Sequence, residues 1–283
     1  PAMGDYIHIF NPELKDITAI AIDRKKYKGE YYGLMYKKSI ILCPKMVGGD
    51  ILCFNMDTME VLTLVKWKKL KHYICENSQY VFLRVTQVDD LLYLPIYNTS
   101  SMLILNLNSL VIQKIEVGID KLLGVYGGKN GIYLFENYSS SVYKWNQISN
   151  IIEKCVISKE FEKDNFYTFA IELYEKTYLF PSSSFPYIGS VQDGRIEPVL
   201  KMDDVEGKLI FLEPFYSDSR IWALPFQGES LLCISKEEVA LKKLKSIKID
   251  NATKQLIEKN KASSKKLFYE GDELTIYEFI ENI

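Results

Sequence analysis

Short apolar runs separated by small polar turns are the dominant pattern along this 283-residue chain. The clearest example begins with a run at residues 92–95, continues through a polar turn, and ends with a run at residues 102–106. Short runs of aliphatic and aromatic residues that are bounded by Gly, Ser and Asn are typical of β-strands. Each pair of runs with its turn therefore predicts a β-hairpin.

The same hairpin pattern recurs along the chain. Residues 132–135 and 142–146 repeat it forty positions later without a gap. Further copies lie at residues 41–55, 177–190 and 221–235. Repeats with a spacing in the forties that are built from short strands are typical of the blades of a β-propeller. The sequence therefore predicts an all-β fold of the propeller type.

Five whole four-stranded units can be traced, at residues 31–65, 80–117, 123–156, 166–200 and 209–244. The second unit is predicted to begin with a strand at residues 80–85, and the third to end with a strand at residues 151–156. We expect one propeller domain over residues 5–283, with a cloning remnant at residues 1–4 and an inter-blade insertion at residues 249–265.

The two ends of the chain each carry half a unit. Residues 6–11 and 16–20 resemble the second half of a blade, and residues 266–269 and 274–279 supply two more strands. An open ring of sheets would leave unpaired strand edges, so we expect the two halves to pair with each other. The prediction is a six-bladed β-propeller with four-stranded antiparallel blades, in which the N- and C-terminal strands close the last blade.

Charge and hydropathy exclude two classes of partner. The formal net charge is −2 at pH 7, whereas nucleic-acid binders carry a basic excess on one face. The largest basic cluster, at residues 66–72, is interpreted as a solvated linker between blades. No apolar run approaches the length that a membrane-spanning helix needs. We therefore expect no nucleic-acid partner and no membrane insertion.

The cysteines point to a reducing compartment. Cys43, Cys53, Cys75, Cys155 and Cys233 are odd in number, and no two of them form a C-x-x-C pair. Three lie inside apolar strand runs, where a buried thiol fits as a small hydrophobic group. A secreted chain would more often carry paired cysteines and a leader, and no leader is visible. The sequence therefore predicts a cytoplasmic protein.

Catalytic motifs are scarce in the sequence. The chain has two histidines, His8 and His72, and a metal centre built on imidazoles needs more. It contains no Gly-x-Ser-x-Gly element, no phosphate loop and no dinucleotide fingerprint. The serines at residues 182–184 have no histidine placed to act as their base. We expect no metal, no cofactor and no catalytic residue, which favours a protein that is not an enzyme.

The loops of a propeller offer the first candidate site. The connection between the second and third strands of each blade opens on the same face as the linkers between blades, and such loops carry binding residues on rigid scaffolds. Aromatic faces mixed with amide groups suit a sugar or a peptide, although ordinary hairpin loops are the alternative interpretation. The candidate residues are Tyr97, Asn98, Asn137, Tyr138, Phe185, Phe226, Gln227 and Glu229, with Trp67 in a linker.

Charged residues inside apolar first strands offer the second candidate site. They are Arg84, Glu172 and Glu213, and first strands line the axial channel of a propeller. A buried charge without a partner is costly, so either these groups form an ion pair across the channel or they hold a ligand. Two carboxyls about 5 to 10 Å apart in an open pocket would instead favour glycoside hydrolysis.

The repeated unit resembles the repeats of Kelch-like six-bladed propellers, especially divergent bacterial ones. The resemblance is carried by the aromatic-aliphatic-Pro run, the small-residue turn and the Ile/Leu-x-Asn strand, and it covers residues 5–283. Two Gly-Gly pairs, Gly48-Gly49 and Gly127-Gly128, occur at differing places in their units. The resemblance implies the fold and a binding scaffold, and it transfers no functional residue.

Three functions follow from these observations. The leading hypothesis is a non-catalytic binding or scaffold module that recognises a protein segment or a glycan on its loop face. The alternative is a carbohydrate-active or lactonase-like enzyme that uses the carboxylates of Glu172 and Glu213. A third option is that the propeller is an assembly domain of a longer protein.

Overall fold

The structure is a computed structural model, and it describes residues 6–11, 16–21, 27, 30–74, 79–129, 131–159, 161, 167–181, 187–201, 210–211, 214–217, 219–223, 225–227 and 230–243. The chain divides into two units. The first, Pro1–Leu241, contains the sheets, and the second, Lys242–Ile283, is described only at its first two residues.

The first unit starts with a two-stranded antiparallel sheet of β1 (Tyr6–Asn11) and β2 (Asp16–Ala21). Five larger sheets follow along the chain, and each contains the four antiparallel strands of one blade. Their strands are β3 (Tyr31–Tyr36), β4 (Ser39–Pro44), β5 (Ile51–Asn55) and β6 (Glu60–Val65); β7 (Thr86–Val88), β8 (Leu91–Pro95), β9 (Ser101–Asn106) and β10 (Ile112–Glu116); β11 (Leu122–Gly128), β12 (Gly131–Glu136), β13 (Val142–Asn146) and β14 (Ile151–Lys154); β16 (Tyr167–Leu173), β17 (Lys176–Pro181), β18 (Tyr187–Gln192) and β19 (Arg195–Lys201); and β21 (Phe215–Ser217), β22 (Arg220–Ala223), β24 (Ser230–Ile234) and β25 (Val239–Lys243).

The predicted all-β propeller with four-stranded antiparallel blades is therefore confirmed, with five blades where the sequence predicts six. The N-terminal half of the predicted sixth blade is present as the β1–β2 hairpin. Its other half, residues 266–269 and 274–279, lies outside the described residues, and so does the predicted insertion at residues 249–265. The sixth blade and the closure of the ring remain predictions.

One strand of the second blade differs from its predicted bounds. The sequence predicts a first strand at residues 80–85, but β7 begins at Thr86. The preceding segment bonds to the neighbouring blades instead: Tyr80 forms an antiparallel bridge to Met46, and Arg84 forms a parallel bridge to Gly124. The apolar pattern was correct about burial and wrong about the bonding partner, because apolar periodicity reports which faces are covered and not which strand lies alongside.

Two other segments also depart from their predicted blades. After β14 the chain forms β15 (Val156–Ile157), which pairs in parallel with β19 of the next blade. In the fifth blade, the single strand predicted at residues 209–215 is divided. Its first part is β20 (Ile210–Phe211), which pairs with β23 (Pro225–Gln227), and its second part is the start of β21. Pro214 lies just before β21, where a residue without an N–H cannot continue a ladder.

The Asn that ends the third strand closes the following turn in three blades. The side-chain oxygen of Asn55 accepts hydrogen bonds from the backbone N–H groups two and three residues later, at 2.8 and 3.1 Å. Asn106 and Asn146 make the same pair of bonds. In the fifth blade the hydroxyl of Ser235 takes this role. The Asn of the repeat is therefore an Asx-turn residue, which is a structural function.

The core consists of layers between successive blades. Leu92 and Leu94 of β8 pack with Ile41 and Cys43 of the first blade. Tyr93, which points to the other face of the same strand, packs edge-on against Trp145 of the third blade, with ring centroids 6.3 Å apart. Because both faces of the inner strands are covered, these strands are continuous apolar runs rather than alternating ones.

The linker after the first blade contains the helical turn α1 (Trp67–Leu70). The charge pattern of residues 66–72 predicts a solvated linker, and Lys66, Lys68 and Lys69 are exposed. Trp67 differs, because its ring packs half-buried against the core. The backbone N–H of Trp67 donates a hydrogen bond to Asp50 Oδ1 at 2.6 Å. Within the described ranges, no helix has the length and apolarity that crossing a membrane requires.

Candidate functional site

The loops between second and third strands lie beside the inter-blade linkers, as the loop-face hypothesis requires. In the first blade, the N–H of Val47 donates to the carbonyl of Gln79 at 3.1 Å. In the second, the N–H of Asn98 donates to the carbonyl of Leu122 at 3.0 Å. In the third, the N–H of Asn137 donates to the linker residue Lys121. Backbone hydrogen bonds therefore hold these three loops against neighbouring segments.

Three tyrosines and one amide form a cluster on this face, which we name the tyrosine patch: Tyr80, Tyr97, Asn137 and Tyr138. The Nδ2 of Asn137 donates to the hydroxyl of Tyr97 at 3.3 Å. The Tyr80 ring meets the Tyr97 ring edge-on, with centroids 5.8 Å apart. Tyr138 is 80% exposed and Tyr80 is 41% exposed, whereas Asn137 is 8% exposed. The patch therefore presents two aromatic side chains around a buried polar anchor.

Burial raises the pKa of the Tyr97 hydroxyl, and the hydrogen bond from the Asn137 amide opposes part of that rise. The neighbouring hydroxyls of Tyr138 and Tyr80 contribute smaller increases to the pKa of Tyr97. Hydroxyl and amide groups can serve as both donors and acceptors towards a ligand.

The other predicted loop residues are placed differently. Asn98 is exposed in the loop of the second blade with a positive φ of 60°, a conformation that Asn tolerates. Phe226 and Gln227 lie in strand β23, where only the backbone is described. Phe185 and Glu229 lie outside the described residues. The patch therefore holds three of the predicted residues, and the binding role of all of them remains a prediction.

A cavity of about 500 Å³ lies where the first strands of the five blades converge. Each blade contributes lining residues from that strand or the segment just before it, including Tyr32, Thr86, Tyr126, Phe169 and Tyr216. This is the axial channel that the sequence predicts first strands to line. Most of the lining side chains are aliphatic or aromatic, and Arg84 is the cationic residue among the described residues that line it.

Arg84 is held in place by residues from two other blades. Its Nη1 donates to the hydroxyl of Tyr32 at 2.6 Å. Its guanidinium carbon lies 3.7 Å from the centroid of the Phe169 ring, which is a stacking distance for a cation on an aromatic face. Gly124 runs alongside Arg84, and a Cβ at Gly124 would lie only 3.0 Å from Arg84 Cγ. The glycine is therefore what lets the two segments approach.

Of the two predicted glutamates, only Glu172 lies within the described residues. Glu172 lies beside it in β16, where its carboxylate approaches Gly128 closely enough that a Cβ on that glycine would collide with it. Burial is the main cause of the raised pKa of the neighbouring Tyr126 hydroxyl, and Tyr216 and Glu172 contribute smaller increases. Glu213 lies outside the described residues. The enzymatic alternative, which depends on the separation of Glu172 and Glu213, therefore remains a prediction.

Three residues of these sites are absent from the sequence-based list. Tyr80 joins the tyrosine patch from a segment that the sequence assigns to a strand, and Tyr32 and Phe169 meet Arg84 from blades one and four. No sequence signal pairs residues as distant as Tyr32 and Phe169.

Comparisons with known proteins agree on fold only. No family model matches the chain, and no curated protein sequence matches it. Solved structures do resemble it. One is the extracellular domain of a protein described as a hybrid two component system from B. thetaiotaomicron, with a TM-score of 0.56 and 9% identity over 87% of this chain and 33% of that chain. The chain thus spans about a third of that protein's chain.

Two further solved structures show the same degree of likeness. A catalytically inactive variant of virginiamycin B lyase from Staphylococcus aureus, solved with quinupristin, has a TM-score of 0.55 and 13% identity, over 79% of this chain and 75% of that one. A mitotic checkpoint complex structure has a TM-score of 0.54 and 10% identity, over 85% and 74%. At such identities the likeness shows a shared propeller fold and no more.

Proposed function

We propose that this chain is a non-catalytic binding module whose tyrosine patch captures a protein segment or a glycan. The observation that carries the proposal is the pair of exposed rings, Tyr80 and Tyr138, around the partly buried Tyr97–Asn137 hydrogen bond. Tyrosine offers a large contact area with only two rotatable side-chain bonds and ends in a hydroxyl, which suits both apolar ring faces and polar groups of a partner.

The backbone supports binding with little reorganisation. Tyr138 has a positive φ of 56°, which directs its side chain outward from a tight loop. Asn137, Asn98 and Thr99 are tied by backbone hydrogen bonds to the linker at residues 121–122. A surface that is already ordered loses less conformational entropy when a partner binds.

The test compares two tyrosines in the same backbone conformation. Tyr138→Ala removes the exposed ring of the patch. Tyr174→Ala is the matched control, because Tyr174 also has a positive φ, of 48°, and is 49% exposed. It lies in the turn between β16 and β17, which is at the opposite end of the strands from the loops between second and third strands.

Both variants and the unaltered protein are immobilised for capture from native lysate with identification by mass spectrometry, and are applied in parallel to a glycan array. We expect Tyr138→Ala to weaken binding of the captured partner by about thirtyfold, the loss of a typical aromatic hot spot. Tyr174→Ala should bind like the unaltered protein. Equal binding by both variants would contradict the proposal, and the array distinguishes a glycan from a protein segment.

The finer features of the sequence-based prediction belong to the same proposal. They are the Kelch-like identity, the sixth blade, the cytoplasmic location and the scaffold role. The support for the first two is the Asn that ends the third strand, because its Asx turn recurs in three blades. The support for the third is the odd number of cysteines, none of which forms a C-x-x-C pair.

A further inference from the structure

We infer that the axial cavity is a second binding site, which takes a small uncharged molecule with a flat apolar body and one hydrogen-bonding group. It shares no residue with the tyrosine patch and would stand even if the patch bound nothing. The inference depends on four features of the cavity: its size, its apolar and aromatic wall, the pairing of the charged groups around it, and the apolar side chains that are exposed where it opens.

The size and the wall match those of small-molecule sites. The volume of about 500 Å³ lies within the range of about 300–1,000 Å³ that is typical of ligand pockets. Aliphatic residues such as Val85, Val125 and Ile171 line the cavity, and six of the eighteen described residues that line it are aromatic. Such a wall binds a ligand by burying apolar surface, and aromatic side chains favour rings that can stack on them or meet them edge-on. The wall therefore selects a ligand with a flat apolar body.

The two charged residues that the structure describes at the cavity, Arg84 and Glu172, already have partners in the protein. Arg84 is hydrogen-bonded to Tyr32 and stacked on Phe169, and it makes a further interaction besides these. Glu172, whose carboxylate lies beside the cavity and close to Gly128, is also engaged. An ion that entered would lose its water without gaining an unused counter-charge, which is costly. The cavity therefore favours an uncharged ligand.

A pair of tyrosine hydroxyls on the wall can bond one polar group of such a ligand. Tyr126 and Tyr216 line the cavity, and their hydroxyls interact with each other. Burial is the main cause of the raised pKa of both hydroxyls, so they stay protonated at neutral pH and add no charge to the wall. A protonated hydroxyl can donate and accept. The hydroxyl of Thr86, which also lines the cavity, already accepts a hydrogen bond from the backbone N–H of Gly127 at 3.3 Å.

Apolar side chains are exposed where the cavity opens. Met35 and Tyr216 line it and are 58% and 54% exposed, whereas Phe135, which also lines it, is 1% exposed. The cavity therefore runs from a buried floor to an apolar entrance. Exposed apolar side chains beside a concave surface are typical of ligand-binding sites, and the flexible methionine side chain adapts to the shape of a ligand.

The test uses two fluorescent probes that differ in charge. N-phenyl-1-naphthylamine is an uncharged aromatic molecule with one N–H group, and 1-anilinonaphthalene-8-sulfonate has the same rings with an added sulfonate. We expect the uncharged probe to bind the unaltered protein saturably at one site per chain. The anion should bind at least tenfold more weakly, because its sulfonate loses water without gaining a free partner. The inference is overturned if the uncharged probe shows no saturable binding, or if the anion binds as tightly.

Two pairs of variants locate the site. Thr168 lines the cavity, so Thr168→Trp fills it and should weaken the uncharged probe at least tenfold. Thr58→Trp is its matched control, because it places the same side chain in the exposed turn between β5 and β6. Met35→Glu puts a charge at the entrance, and the cost of covering that charge should weaken the probe at least threefold. Met59→Glu is the control for this change, since Met59 is 45% exposed in the β5–β6 turn.

Both control variants should bind the uncharged probe like the unaltered protein. Met35 is an exposed position, so the Met35→Glu pair decides the question alone if the Thr168→Trp protein does not fold. Equal binding by the two members of either folded pair overturns the inference. Tyr138→Ala should leave binding of the probe unchanged, and loss of binding in that variant would place the probe on the tyrosine patch and overturn the inference as well.

Discussion

The close approach of Arg84 to Gly124 gives a stability prediction that can be worked from distances. In Gly124→Ala the new Cβ would lie 3.0 Å from Arg84 Cγ, closer still to Arg84 Cβ, and 3.5 Å from the Arg84 carbonyl oxygen. Non-bonded carbons prefer separations of about 3.5–4.0 Å, so the two segments must move apart by up to about 1 Å. That movement also strains the hydrogen bond from the Val125 N–H to the Arg84 carbonyl, now 3.1 Å.

Overpacking of this kind typically costs about 1–3 kcal/mol. Alanine offsets part of the cost, because it is favoured over glycine in a strand by about 0.5–1 kcal/mol. The first atoms that the new methyl group meets are fixed to the backbone and cannot rotate away, so we expect a net loss of about 1.5–2 kcal/mol in the free energy of unfolding. For a chain of this size, that corresponds to a fall in Tm of about 3–8 °C.

Gly33→Ala is the matched control in the first strand of the first blade. Its new Cβ would lie 3.2 Å from Ile40 Cγ2 and 3.7 Å from Leu42 Cδ2, both side-chain ends that can shift. We expect its Tm to stay within about 2 °C of the unaltered protein. Differential scanning calorimetry measures both variants, and a circular dichroism spectrum checks that each retains its strands. If Gly124→Ala melts together with Gly33→Ala, the two segments do not pack as described, and the placement of Arg84 fails with them.

Two further predictions concern turns and thiols. Asn106→Ala should lower the free energy of unfolding by about 1–2 kcal/mol, because two backbone N–H groups lose their acceptor. Asn106→Ser should lower it by less, since Ser235 accepts the equivalent hydrogen bonds in the fifth blade. Equal urea midpoints for the two variants would refute the Asx-turn assignment. Burial raises the pKa of the Cys155 thiol to about 11 and that of Cys43 further. Above the ordinary thiol pKa of 9.0, the unfolded chain therefore loses protons that the folded chain keeps, so Tm should fall between pH 9 and about 11. Cys155→Ala should make that fall shallower, and an identical pH profile would contradict the burial of this thiol.

Much of the fold could be predicted from the sequence because the strands are buried on both faces. Strands β4, β5 and β8 begin and end where their apolar runs do. The prediction of strand pairing failed where an apolar run forms its backbone hydrogen bonds outside the sheet of its own blade. Val81 and Phe82 are fully buried, so hydrophobicity alone made them look like a blade strand, yet their segment bonds to neighbouring blades.

The candidate sites could be predicted only in part for a related reason. Tyr97, Asn137 and Tyr138 occupy equivalent loops of adjacent blades, so the repeat itself placed them together. Arg84 could be assigned to the channel from its position in an apolar run. Its partners Tyr32 and Phe169 could not, because the angle at which three separate blades meet is set by side-chain packing between sheets, which no local pattern encodes.

The segment at residues 79–85 explains why both sites occur where the repeat is broken. A regular first strand would bond its backbone to β8 and spread its side chains over the two faces of a single blade. Here the segment lies outside the sheet of its own blade: Tyr80 bridges to Met46 and belongs to the tyrosine patch, and Arg84 bridges to Gly124 and lines the cavity. Proteins tend to depart from local rules at functional positions and to compensate elsewhere. Gly124, which makes room for Arg84, is such a compensation.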